Sequence, residues 1–163
     1  MKRSIFQIVG LLLLLPLFSG CNDSDDLQGI FTGKTWKLTY INLKDKGGGM
    51  NGFSEKSIKI LNENQESYTI TFTGTEEDNR ISNGAVKGRI ITADLTGTWS
   101  ANGKNNEFHA SVTNVNENDD LAKEFIKGLN NASSYIGDDN GLFLYYNPAG
   151  SQQTYVLAFH VQR

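Results

Sequence analysis

From residue 34 onward the chain alternates apolar and polar positions with a period of two. In "KTWKLTYI" Trp36, Leu38 and Tyr40 fall on one face while Thr35, Lys37 and Thr39 fall on the other, the pattern of a half-buried strand. "SYTITFTG" repeats it with Tyr68, Ile70 and Phe72 inward, "EFHASVT" with Phe108, Ala110 and Val112, and "TYVLAFHVQ" with Tyr155, Leu157, Phe159 and Val161. "KSIKIL", "AVKGRIITADL", "TGTWSA" and "GLFLYYN" read as further short strands. The pairs Asn51-Gly52, Asn83-Gly84, Asn102-Gly103 and Asn140-Gly141 read as tight hairpin turns, because both residue types accept positive φ cheaply. One segment departs from period two. In "NDDLAKEFIKGLNN" Leu121, Phe125 and Leu129 recur every four residues with Ala122 and Ile126 beside them, and Asp119 and Asp120 open the run. The pattern therefore predicts an all-β fold, antiparallel and built from sequence neighbours, with one short amphipathic helix packed on the sheet.

"GLFLYYN" is apolar in both directions: Leu142, Leu144 and Tyr146 share one face, Phe143 and Tyr145 the other. Either the strand is buried on both faces with the helix over one, or Phe143 and Tyr145 form an exposed contact patch. The need of Leu121, Phe125 and Leu129 for a packing surface favours the first.

The start of the chain carries a different signal. Lys2 and Arg3, the apolar stretch Ile5 to Phe18, and Ser19-Gly20 form a signal peptide over residues 1–20. The run is too short, and too interrupted by Gln7, Gly10 and Pro16, to span a bilayer. "LFSGC" resembles the lipobox of bacterial lipoproteins, which implies that Cys21 is alkylated with diacylglycerol and anchors the mature chain to a membrane. Cys21 is the only cysteine, so no internal disulfide forms, and "NDSDD" offers no base to activate a thiol. Asp23, Ser24, Asp25 and Asp26 resemble the acidic export signal of lipoproteins displayed on the outer face of the outer membrane. The plainer reading is a solvated tether, so residues 21–29 are expected to form a lipidated acidic linker, on the cell surface or facing the periplasm.

Cleavage before Cys21 leaves 143 residues with eighteen acids against thirteen bases, a net charge of −5, with one domain over residues 30–163. Such acidity without clustered Lys or Arg argues against a nucleic-acid partner.

"EFIKGLNNASSYIGDDNGLFLYYNPAGSQQTYVLAF" resembles the closing portion of the META domain of small bacterial lipoproteins of the HslJ type, and "GKTWKLTYIN" its opening Trp strand. Gly88, Gly97 and Trp99 fit the frame between them, although Thr92 and Ala93 occupy the family's Cys-Asn places. The resemblance implies a compact β domain with one helix, an envelope location and no established catalytic activity.

The residues offer little chemistry. His109 and His160 alternate onto polar faces, and neither has a partner at metal-ligand spacing. "GAVKGR" is not a phosphate loop, and no serine sits in a nucleophile elbow, so no cofactor, metal or catalytic group is expected. Glu76, Glu77 and Asp78, with Asp138 and Asp139, fall at turns, where a carboxyl is too solvated to serve as a glycosidase acid. Gly-Lys-Thr-Trp at Trp36 and Gly-Thr-Trp at Trp99 raise a lipocalin-like reading, with Trp99 at a ligand pocket, against a Trp that merely fills the barrel base. The sequence thus points to a lipid-anchored, non-catalytic envelope protein that contacts a protein, a glycan or a small apolar ligand through Trp99, Phe143 or Tyr145. The alternatives are a small-ligand carrier and a glycan-active enzyme.

Overall fold

The structure is a computed structural model that describes residues 24–46, 48–50, 52–113 and 115–163. In chain order its elements are α1 (Leu27–Phe31), β1 (Thr35–Leu43), α2 (Glu55–Glu63), β2 (Thr69–Thr73), β3 (Glu76–Glu77), β4 (Arg80–Arg89), β5 (Asp94–Asn102), β6 (Glu107–Val112), α3 (Asp120–Asn131), β7 (Ala132–Gly137), β8 (Gly141–Tyr146) and β9 (Tyr155–Val161). The sheet runs β2-β1-β9-β8-β7-β6-β5-β4-β3, and an added β2–β4 ladder closes eight strands into an antiparallel barrel with β3 as a two-residue flap on β4. Closure removes the open sheet edges that would otherwise pair with other chains.

Each end of the barrel is closed by a helix. At one pole, α1 inserts Leu27 and Phe31, both fully buried, and Ile30. The Phe31 ring lies 5.4 Å from Phe72, 4.8 Å from Trp99, 5.6 Å from Phe108 and 5.0 Å from Tyr135. Its carbonyl accepts the Trp36 indole N–H at 3.3 Å. At the other pole, α3 buries Leu121, Ala122, Phe125, Ile126 and Leu129, with the Phe125 ring 5.8 Å from Tyr68 and 6.1 Å from Phe159. Gly128 lets this helix seat on β9, because a Cβ there would stand 2.9 Å from Leu157 Cδ1. α3 therefore plugs the barrel instead of covering the outside of β8.

Among the described residues three helices form where the alternation predicts one. "KSIKIL" alternates Ile58 and Ile60 with lysines, yet it lies in α2, which buries Ser57 and Leu61 one turn apart. Capping decides the outcome: Ser54 accepts from Ser57 N–H at 3.3 Å, and Ser54 N–H donates to Asp120 Oδ2 at 2.8 Å. Ser57 Oγ also bonds Asp119 at 2.6 Å and touches Asp120, so the starts of α2 and α3 are tied together. Asp119 caps α3 through Ala122 N–H at 3.0 Å and accepts the Tyr68 hydroxyl at 2.8 Å. Burial, then that hydrogen bond and the charge of Asp119, push the Tyr68 phenol far above its ordinary pKa.

Two irregularities redirect side chains. The β1–β9 register shifts between Leu38 and Tyr40, so Ile41 turns inward and Tyr40 leaves the core face that strict alternation assigns to it. Asn83-Gly84 is no hairpin: it lies inside β4 at a register shift, with Asn83 at φ 56°. A Cβ on Gly84 would stand 2.2 Å from Trp99 Nε1 and 2.8 Å from Thr73 O, so the bulge makes room for the indole. Asn102-Gly103 and Asn140-Gly141 do fall at the β5–β6 and β7–β8 turns.

Candidate functional site

The residues singled out in the sequence separate into three places. Cys21 and Asp23 lie outside the described residues. Ser24, Asp25 and Asp26, expected in the linker, are bonded to the pole that α1 closes. Ser24 Oγ donates to Asn79 Oδ1 at 2.7 Å, and Asp25 N–H donates to Gly103 O at 3.1 Å. Asp25 Oδ2 accepts from Asn106 Nδ2 at 2.7 Å and from the Tyr135 hydroxyl at 2.9 Å. Asp26 caps α1 through Gly29 N–H at 2.9 Å. Ordered contacts therefore begin ahead of residue 30, the boundary expected from composition. Burial, together with Asp25, raises the Tyr135 phenol well above its ordinary pKa.

Trp99 is core and not a contact residue. It is 2% exposed, packs on Phe31 and on Phe72 at 4.9 Å, and donates its indole N–H to Thr73 O at 3.0 Å. With Trp36, Phe72, Phe108, Leu144 and Leu157 also buried, side chains occupy the barrel interior, and the lipocalin-like pocket at Trp99 is filled.

Phe143 and Tyr145 point outward from β8, where neither is covered by α3; both are half-buried. The register gives them neighbours on the outer wall. One row runs Ile136, Phe143, Ala158, Tyr40, and the next Ser134, Tyr145, Val156, Asn42. Val156 and Ala158 form a floor, 4% and 2% exposed, beneath the larger side chains. Ile136 stands at the margin, 58% exposed, the one large hydrophobic so exposed among the described residues. Lys44 Nζ lies 5.3 Å over the Tyr145 ring, and burial, then nearby Tyr40, raises the Tyr145 phenol above its ordinary pKa. A cleft of about 450 Å³ opens beside the strip, lined in part by Lys44, Ser134, Ile136, Tyr145, Asn147 and Thr154. Such a wall offers flat aromatic and aliphatic area with a polar rim, the means of non-covalent contact. Alternation alone did not mark Tyr40, whose direction depends on the bulge. Ile136 was legible as the apolar outlier in "SSYIG", but not as exposed.

The acids and histidines are held in local structure. Asp138 accepts from Asn140 and Gly141 N–H at 2.7 and 2.8 Å, which lowers its carboxyl below the usual range. Asp139 pairs with Lys34 at 3.5 Å, and Glu76 accepts from Gln28 N–H at 3.0 Å. Glu77 and Asp78 line an open cleft of about 690 Å³ that also includes Arg80 and Lys104. His109 contacts Glu107 at 2.9 Å and His160 contacts Thr39 at 2.8 Å, both on the outer surface. Among the described residues no three His, Cys, Asp or Glu side chains are grouped to hold a metal. No helix there is long and apolar enough to cross a membrane.

Fold and wall together define a small, side-chain-filled antiparallel barrel with an apolar strip on its outer wall. The chain belongs to the family described as a domain of unknown function, DUF4847, whose model matches residues 22–161. Among solved structures it is similar to a DUF4847 family protein from Bacteroides vulgatus ATCC 8482, at 27% identity and TM-score 0.55, covering 82% of this chain and 95% of that one. No curated protein matches the sequence. The family match and this neighbour overturn the META resemblance. A Trp strand, Gly-x-aromatic steps and a late amphipathic helix are what a small antiparallel barrel plugged by a helix requires. Their spacing reports the architecture and not the family, and the Thr92-Ala93 departure was the telling residue pair. In the structure both backbone N–H groups donate to Glu117 Oε1, at 2.9 and 3.1 Å, bracing the β4–β5 turn.

Proposed function

We propose that this chain is a non-catalytic binding module, anchored by lipid on Cys21 to the outer membrane, that contacts another envelope protein through the outer-wall strip of Tyr40, Ile136, Phe143 and Tyr145. The observation that carries the reading is the contrast between a filled interior and an apolar outer wall, with Trp99 2% and Ile136 58% exposed. A filled barrel leaves recognition to its surface, and aromatic groups with a polar rim are characteristic of interface cores. A protein partner is favoured over a glycan because the most exposed member is aliphatic: sugars stack on rings, whereas isoleucine gains mainly by leaving water.

The test is a photo-crosslinking side chain placed at Tyr145 in cells producing the full chain, with the same group at Lys59 on α2 as control. A discrete crosslinked protein from position 145, absent from position 59 and lost with Ile136→Ser, is expected. Identical products from both positions would contradict the reading.

A further inference from the structure

We propose that the pole closed by α1 is the membrane-facing end of the barrel, resting on the lipid headgroup layer, so that the opposite pole is presented away from it. The inference rests on the anchored reading above and adds an orientation to it. Cys21 and Ser24 are three residues apart, and three extended residues reach at most about 11 Å. Ser24 is not a free end. It is bonded to Asn79 at 2.7 Å, and Asp25 is bonded to Gly103 at 3.1 Å, Asn106 at 2.7 Å and Tyr135 at 2.9 Å. Those partners belong to the β3–β4 turn, the β5–β6 turn and β7, and Gly103 N–H in turn donates to Asn79 O at 2.8 Å. The chain therefore leaves the domain from a fixed point on this pole.

The geometry of the strands sets the scale. β1, β4 and β5 are nine or ten residues long. At a rise of about 3.3 Å per residue and the usual tilt, the two poles lie roughly 20–25 Å apart. A tether of about 11 Å is shorter than that separation. It holds the α1 pole at the surface and keeps the α3 pole off it. The β3–β4 and β5–β6 turns, with Asp78, Arg80 and Lys104, then face the headgroups. The cleft of about 310 Å³ between Phe53, Glu124, Lys127 and Pro148 opens at the far end.

The experiment uses the lipidated full chain in phosphatidylcholine vesicles. Lys104→Cys and Gln152→Cys, both at exposed turn or loop positions, carry an environment-sensitive fluorophore, and a headgroup-level spin-labelled lipid serves as quencher. Cys21 is the only native cysteine and its thiol is alkylated in this reading, so the introduced thiol alone reacts. Quenching severalfold stronger at position 104 than at 152 is expected. Inserting about twenty Gly/Ser residues between Asp23 and Ser24, a flexible span of about 25 Å, should erase most of the difference. Equal quenching of the two uninserted proteins, with lipid on Cys21 verified by mass spectrometry, would overturn the orientation alone. A mature chain without lipid on Cys21 would overturn the anchored reading itself.

Discussion

Lys37 lies on the outward side of β1 yet is only 3% exposed, because its ammonium turns under the segment that follows α2. It donates to Asn64 O at 2.8 Å, to Ser67 O, and to Ser67 Oγ at 3.2 Å. Burial lowers its pKa to about 8. A base lowered on folding holds fewer protons in the folded than in the unfolded chain between that value and its ordinary 10.5, so its penalty is relieved as pH rises through this window. Urea midpoints of wild type relative to Lys37→Met should therefore rise between pH 8 and 10, by up to about 3 kcal/mol in stability. A flat difference across that range would show that burial does not perturb the amine. Above pH 10 the buried phenols Tyr68 and Tyr146, both raised, act in the opposite direction, since the unfolded chain ionises them first. Gly84 offers a second test at this scale. Gly84→Ala forces a methyl into the Trp99 indole and should cost about 1–3 kcal/mol, read as a lower thermal midpoint and altered Trp fluorescence. Sequence patterning placed Lys37 on a polar face correctly but gave no sign that the face was roofed. Likewise the Tyr40 bulge rests on long-range packing, which alternation does not encode.

Of the helices, only α3 was legible in the sequence. Its four-residue apolar spacing and leading acids are strong local signals, whereas α1 has five residues and α2 carries lysines in a strand-like alternation. For α1 the signal existed: Asp26 as cap, then Leu27, Ile30 and Phe31 at helical spacing. Polar composition around it suggested a tether instead. The structural role of α1 gives a sharp prediction. Phe31→Ala, which empties the centre of the aromatic cluster, should destabilise the domain by about 3–5 kcal/mol. Asp25→Ala, which leaves the Tyr135 hydroxyl and Asn106 amide without their acceptor, should cost about 1–3 kcal/mol in denaturant unfolding. A solvated tether would tolerate the second change with no loss. The α2–α3 junction is tested by Asp119→Ala, which removes an N-cap and the Tyr68 partner together. Its cost should exceed the typical cap value of about 1 kcal/mol.

At the level of the whole molecule, the fold class followed from period-two alternation and from turn residues, because an antiparallel barrel is assembled from neighbours in sequence. Closure did not follow, since the β2–β4 ladder that seals the ring joins strands across β3 and its turns. The candidate site was half legible. Phe143 and Tyr145 were marked by a strand apolar on both faces, but whether that second face was covered depended on where α3 packs. Trp99 was misplaced for a related reason: a Trp in a barrel strand reads the same from sequence whether the lumen is open or filled. The family match spans residues 22–161 and supplies no partner.

The most direct test of the proposal that a filled barrel works from its outer wall is native mass spectrometry of the full chain released gently from its own envelope. A filled barrel predicts the bare lipidated chain, or that chain with a protein-sized companion lost on Ile136→Ser. A reproducible added mass the size of a small apolar ligand, removed by Trp99→Ala in a variant that still folds, would contradict it.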